Sequence, residues 1–139
     1  MRPFLPLLLP LLLLSGCWCE EMYCVTGLEG DVELRGFAPD ELRSVRWLTL
    51  DDVTPIDSGQ VAGFAGDSTV SFSTAAWTPD QQCIIRLDSA DRTIVIDGYR
   101  TETFECNDCG LFARDEQERL SEYRVDGVWV AGPRMVVRP

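Results

Sequence analysis

Hydrophobic and polar positions follow three patterns along this chain. Residues 4–14 form an apolar run interrupted only by Pro6 and Pro10. From about residue 30 onward, short runs alternate apolar and polar residues, the two-residue period of half-buried strands. Only residues 110–123 break that rhythm, with Phe112, Leu120 and Tyr123 as a thin apolar stripe on a polar segment.

The alternation predicts strands over residues 31–35, 45–50, 83–87, 93–96 and 101–106, with edge strands over 61–64 and 69–73. Val45 and Trp47 share a face of the second of these. Residues 39–42 read as a turn or a single helical turn. Asp51-Asp52 and residues 55–59 punctuate the chain, and 75–82 read as a loop carrying Trp77. Residues 88–92 have the length of a hairpin turn. Asp126-Gly127, flanked by apolar residues, predicts another hairpin. Gly132-Pro133 turns the chain before a last strand over 135–137. Residues 110–123 are the only place for a helix, with a long loop as the alternative. The core is expected to hold Val32, Leu34, Trp47, Leu50, Ile84, Leu87, Ile94, Ile96, Phe104, Val128 and Met135. Seven to nine short strands at roughly ten-residue intervals predict an all-β fold. That fold is a small β-sandwich, Ig-like or related, or an open barrel.

The apolar run near the start changes the picture from fold to location. Eleven apolar residues after Arg2 are too few to span a bilayer, which takes about 20. They match the hydrophobic region of a signal peptide. Residues 1–16 are therefore expected to be a leader, 17–25 a short tether, and 26–139 the folded domain.

Charge narrows the partners. The chain has 23 acidic and 12 basic residues, a formal net charge of −11. Phosphate backbones and anionic lipid surfaces repel such a chain, so no nucleic-acid partner is expected. All the basic residues are Arg, and the chain contains neither His nor Lys. This removes the imidazole general base, the Ser-His and Cys-His pairs, His-ligated zinc and the lysine Schiff base. The chain is read as non-enzymatic, with no cofactor and no metal.

Six cysteines bear on chemistry. With Cys17 at the end of the leader set aside, five remain, and Cys19 next to it is left as the odd thiol. Cys24, Cys83, Cys106 and Cys109 are then candidate disulfide partners, with three connectivities open. Cys106-Asn107-Asp108-Cys109 also allows a thiol-disulfide enzyme as an alternative. Asp108 and Glu105 would raise the thiol pKa there, the wrong direction for such chemistry. The carboxylates of Asp51, Asp52 and Asp57, and of Asp88 and Asp91, read as turn formers. Trp77, Tyr99 and Phe112 fall in loops, where aromatic rings can stack on sugars or anchor a protein partner. A protein or glycan partner is the expectation they raise.

Leu14-Ser15-Gly16-Cys17 resembles a bacterial lipobox, in which cleavage leaves the acylated Cys as the first mature residue. Glu20-Glu21 resemble the acidic surface-export signal of Bacteroidota lipoproteins. With "ELRGFAPDEL", "CNDC" and "EYRVDG", the chain resembles the small lipoproteins of Bacteroidota-type bacteria. The resemblance implies lipid on Cys17, attachment to the membrane through it, and an outer-membrane, periplasmic or surface location. A second resemblance is to the immunoglobulin V-type domain. Gly30 to Arg35 are similar to its B strand, Trp47 to its core Trp, Phe104-Glu105-Cys106 to its Tyr-x-Cys, and Trp129 to Gly132 to its last-strand motif. It implies, as the alternative, a secreted recognition or immune-modulating domain.

Overall fold

The structure is a computed structural model that describes residues 26–75, 77–108 and 114–139, with side chains described for 26–75, 77–105 and 116–139. Nine strands follow one another: β1 (Asp31–Arg35), β2 (Val45–Asp51), β3 (Thr54–Val61), β4 (Thr69–Ser73), β5 (Gln81–Leu87), β6 (Arg92–Asp108), β7 (Arg114–Val125), β8 (Val128–Ala131) and β9 (Met135–Val137). They form two sheets, one ordered β4-β1-β9 and one ordered β3-β2-β5-β6-β7-β8. The fold is an all-β sandwich. The leader over 1–16, the tether over 17–25, and Cys17, Cys19 and Cys24 lie outside the described residues.

The chain divides into two compact units. One comprises Val25–Thr103 with Glu118–Pro139 and contains the sandwich. The other comprises Met1–Cys24 with Phe104–Gln117. Its described part is the far stretches of β6 and β7.

In the sandwich, the two-residue strand period sorts side chains between core and solvent. Val32 and Leu34 of β1, Val70 and Phe72 of β4, and Met135 and Val137 of β9 line one wall. Val45, Cys83, Ile85, Leu87, Ile94, Ile96, Leu120 and Tyr123 line the other. Trp47 of β2 stacks on Phe72 of β4, with ring centroids 4.3 Å apart, and so joins the two sheets. The Tyr123 hydroxyl accepts the Val136 N–H at 2.8 Å and donates to the Val136 carbonyl at 3.1 Å. That pair ties β7 to the three-residue β9, which runs parallel to β1.

Several expectations are corrected by this geometry. Residues 114–125 are strand β7, not helix, and residues 110–113 lie outside the described region. The charges that suggested a helical surface pair across strands instead: Arg119 with Glu102 at 2.7 Å and Arg100 with Glu122 at 2.9 Å. Neighbouring strands on both sides override the helix propensity of Glu, Gln and Arg. Residues 55–59 are not a turn but part of β3, where an edge position tolerates Pro55. The strands expected over 93–96 and 101–106 are one continuous β6. Residues 62–64 lie beyond the end of β3.

Four of the expected core residues sit elsewhere. Leu50 and Ile84 point away from the core, because Thr49 and Ile85 on the same strands point into it. Val128 is 67% exposed on the edge strand β8, and Phe104 is half-buried. The immunoglobulin V arrangement is not reproduced either. There the strand carrying the core Trp pairs with the strand carrying Tyr-x-Cys. Here β5 lies between β2, which carries Trp47, and β6, which carries Phe104-Glu105-Cys106.

Gly59 illustrates how closely the edge strand is fitted. It lies directly opposite Trp47, and a Cβ there would run into the Trp47 ring. Gly59→Val should cost about 2 kcal/mol, as overpacking does. Thermal unfolding checks this; an unchanged melting temperature would mean that Trp47 moves aside freely.

A cationic and apolar face on the six-stranded sheet

The outward face of β2, β3 and β5 carries rows of side chains fixed by strand register. Arg46 of β2 stands opposite Gln60 of β3 and opposite Arg86 of β5, which in turn stands opposite Thr93 of β6. One row further along, Leu48 lies between Ser58 and Ile84, and Ile84 lies opposite Val95. A row of hydrogen-bond donors and cations therefore adjoins an apolar row. Leu50 extends the apolar surface along β2. An open cleft of about 620 Å³ lies here, lined by Arg46, Trp47, Leu48, Ser58, Gly59, Gln60, Ile84 and Arg86. Its size is within the range of ligand clefts.

The two arginines differ in their surroundings. Arg46 makes a two-pronged contact with Asp88, Nε to Oδ2 at 2.7 Å and Nη2 to Oδ1 at 2.5 Å. The Arg46 hydrogen bonds hold the Asp88 carboxyl below its ordinary pKa, and Ser44 adds a hydrogen bond of 3.0 Å. Gln60 reaches the Ser44 hydroxyl at 3.4 Å, completing a chain that orients Arg46. Arg86 makes no hydrogen bond or close ion pair among the described residues, but its charge also helps hold the Asp88 carboxyl down, so Asp88 is shared by both arginines. On the neighbouring strands Arg124 pairs with Asp97 at 2.9 Å, and Arg100 pairs with Glu122 while it covers the Trp129 ring at 3.9 Å. Like charges placed directly opposite on adjacent strands destabilise a sheet. In a chain of net charge −11, a cross-strand Arg46–Arg86 pair holding one carboxylate is a cationic excess open to solvent.

The residues singled out from sequence are distributed as follows. Cys83 lies on β5 facing the core and is 0% exposed, with a free thiol rather than a disulfide. It sits in the interior beside Thr49, whose hydroxyl hydrogen-bonds that of Thr74 at 2.6 Å. Burial pushes the Cys83 thiol up to about 12. The backbone of Cys106 lies at the far end of β6, while Cys109 and Phe112 are outside the described residues. Trp77 and Tyr99 are not exposed loop aromatics: each is 5% exposed, and their rings stack with centroids 4.8 Å apart. They close the core rather than present a stacking platform. Burial raises the Tyr99 hydroxyl pKa, and that hydroxyl donates to the Ile96 carbonyl at 3.2 Å.

Of the carboxylates expected to form turns, Asp52 and Asp91 do so, whereas Asp57 lies within β3 and Asp88 holds Arg46. Asp52 and Asp91 adopt left-handed backbone, with φ of 54° and 48°. Asp57 accepts the Ser58 N–H at 2.8 Å and the Ala75 N–H at 3.0 Å. Among the described residues no group of three or more acidic or cysteine side chains is placed to hold a metal ion. Compared with known proteins, the chain matches no family model, no curated protein and no solved structure.

Two measurements follow from this arrangement. Arg86→Glu replaces a like-charge pair with an opposite-charge pair beside Arg46. The variant should melt about 2 °C higher, an effect that salt reduces; a lower melting temperature would show that the attraction of Arg86 to Asp88 outweighs its repulsion of Arg46. Cys83 should resist alkylation at neutral pH in the folded chain and react once it is denatured. Its pKa is raised on folding from the ordinary 9.0, so the stability it contributes is complete below pH 9.0 and lost as pH rises toward about 12. Denaturant titrations across that window should show stability falling with pH, by less in Cys83→Ala; an equal fall in both would assign it to other groups.

Proposed function

We propose that this protein is a lipid-anchored cell-envelope lipoprotein and a non-enzymatic binding module. Its ligand surface is the outward face of β3, β2 and β5. The observation that carries the binding role is the Arg46–Arg86 pair beside the apolar row of Leu48, Ile84 and Val95. A sheet face without a partner has no structural reason to combine half-buried aliphatic side chains with two opposed cations. A ligand with an anionic group and an apolar part satisfies both.

The anchoring role rests on the sequence Leu14-Ser15-Gly16-Cys17 after an apolar leader. Acyl chains on Cys17 would hold the protein at the membrane, since each buried CH₂ contributes about 0.8 kcal/mol and two or three chains suffice for stable attachment. Trp18 in place of Asp fits the outer membrane better than retention at the inner one. The absence of His and Lys from the whole chain supports a binding role over catalysis.

Expression of the full chain in a bacterium with a lipoprotein-processing pathway, followed by intact mass measurement, tests the anchor. The expected product begins at Cys17 and carries acyl chains. Cys17→Ala should abolish both the mass increase and partition into detergent. A mature chain that begins elsewhere without lipid would defeat this part of the reading.

A further inference from the structure

The face assigned above to ligand binding also has a repeat that limits what the ligand is. Along each strand, residues on one face recur every second position, about 6.8 Å apart. The cationic row of Arg46 and Arg86 is separated from the apolar row of Leu48 and Ile84 by that one step. An extended peptide has the same step between alternate side chains. A carboxylate at one position and an aliphatic side chain two positions later would meet Arg86 and the Leu48–Ile84 surface together.

We infer that this cleft docks an extended acidic segment of a partner protein, with a Glu or Asp two positions from a Leu, Ile or Val. The inference rests on the binding role proposed above and names its partner. Charge complementarity favours it: Asp88 is hydrogen-bonded to Arg46 and only attracts Arg86 electrostatically, so two cations share one carboxylate and the Arg86 guanidinium keeps its hydrogen-bond donors open. A guanidinium takes a carboxylate through two parallel hydrogen bonds, so one Arg oriented by Asp88 and one left open is a suitable receptor. The cleft also suits a peptide better than a free acyl chain. It is open along the sheet, and Ser58 and Gln60 form its β3 wall. Those polar side chains can hydrogen-bond a peptide backbone, whereas an acyl chain gains most from an enclosed apolar cavity.

Arg86→Glu separates function from folding. By the cross-strand argument it strengthens the sheet, yet it places a carboxylate where the partner's carboxylate would sit. A variant that folds better and binds worse is the signature of a residue kept for recognition.

The test uses the full chain purified in detergent and a fluorescein-labelled peptide of alternating Glu and Leu, read by anisotropy. Two further peptides carry Gln in place of Glu, or the same composition with Glu and Leu in adjacent blocks; laurate is the fourth probe. The alternating Glu-Leu peptide should bind, with affinity that falls as salt rises. Arg86→Glu should weaken it at least about tenfold, as loss of an interfacial charge pair does, while Arg43→Glu on the Glu41–Arg43 turn leaves it unchanged. The Gln and block peptides should bind at least about tenfold more weakly. Equal binding by the Gln or block peptide, or indifference to Arg86→Glu, would overturn the inference. Binding of laurate at Arg86 without the peptide would overturn the peptide but keep an anionic, apolar ligand. Binding of no probe would overturn both readings. Self-association of the chain that Arg86→Glu abolishes would assign the face to a second copy instead.

Discussion

Tyr123 bridges the space between the sheets, and both hydrogen-bonding functions of its hydroxyl close on the backbone of one residue, Val136. A strand of three residues such as β9 has little pairing of its own to hold it. The Tyr123 contact fixes it beside β1, and so makes β1 the central strand of its sheet. With β1 placed, Val32 and Leu34 complete a wall against which the larger sheet buries Ile85, Leu87, Ile94 and Ile96. Trp47 on Phe72 makes the second junction between the sheets, and Gly59 leaves the room that the indole needs. The buried tyrosine gains because its ring stays in the core while its polar end is satisfied by backbone.

A sandwich of this kind buries one face of each sheet and leaves the other to solvent. The larger sheet handles its outward face in two ways. Toward β6, β7 and β8, Arg100 and Arg124 are matched by carboxylates and by Trp129. Toward β3, β2 and β5 half-buried aliphatic residues lie beside two arginines that share the single carboxylate of Asp88. The first pattern is what a solvated sheet surface needs. The second is the face proposed above for ligand binding.

Cys83 shows the opposite behaviour. Its thiol is in the interior beside Thr49 and Thr74, where burial disfavours the thiolate. It behaves there as a small core residue, and packing explains its position without redox chemistry.

The alternation of side chains was enough to determine the all-β class, the positions of β1, β2, β5 and β9, the 88–92 hairpin and the Asp126-Gly127 turn. These signals are local: a two-residue period and turn residues that accept left-handed backbone act wherever the chain goes. Sequence alone could not say which of two adjacent apolar residues faces inward. Leu50 and Ile84 looked like core, and parity could have warned that Ile84 and Leu87 do not share a face. Tertiary structure decided their side of the sheet, because only the partner sheet defines an inside. It likewise turned residues 114–125 from a helix-like run of charges into β7, where Arg119 and Glu122 meet partners on β6. Of the outward aliphatic residues at the candidate site, the sequence singled out only Ile84 and the adjoining Leu50, and those as core. Leu48, Ile84 and Val95 became a surface, and Arg46 and Arg86 became neighbours, only once β2, β5 and β6 were paired.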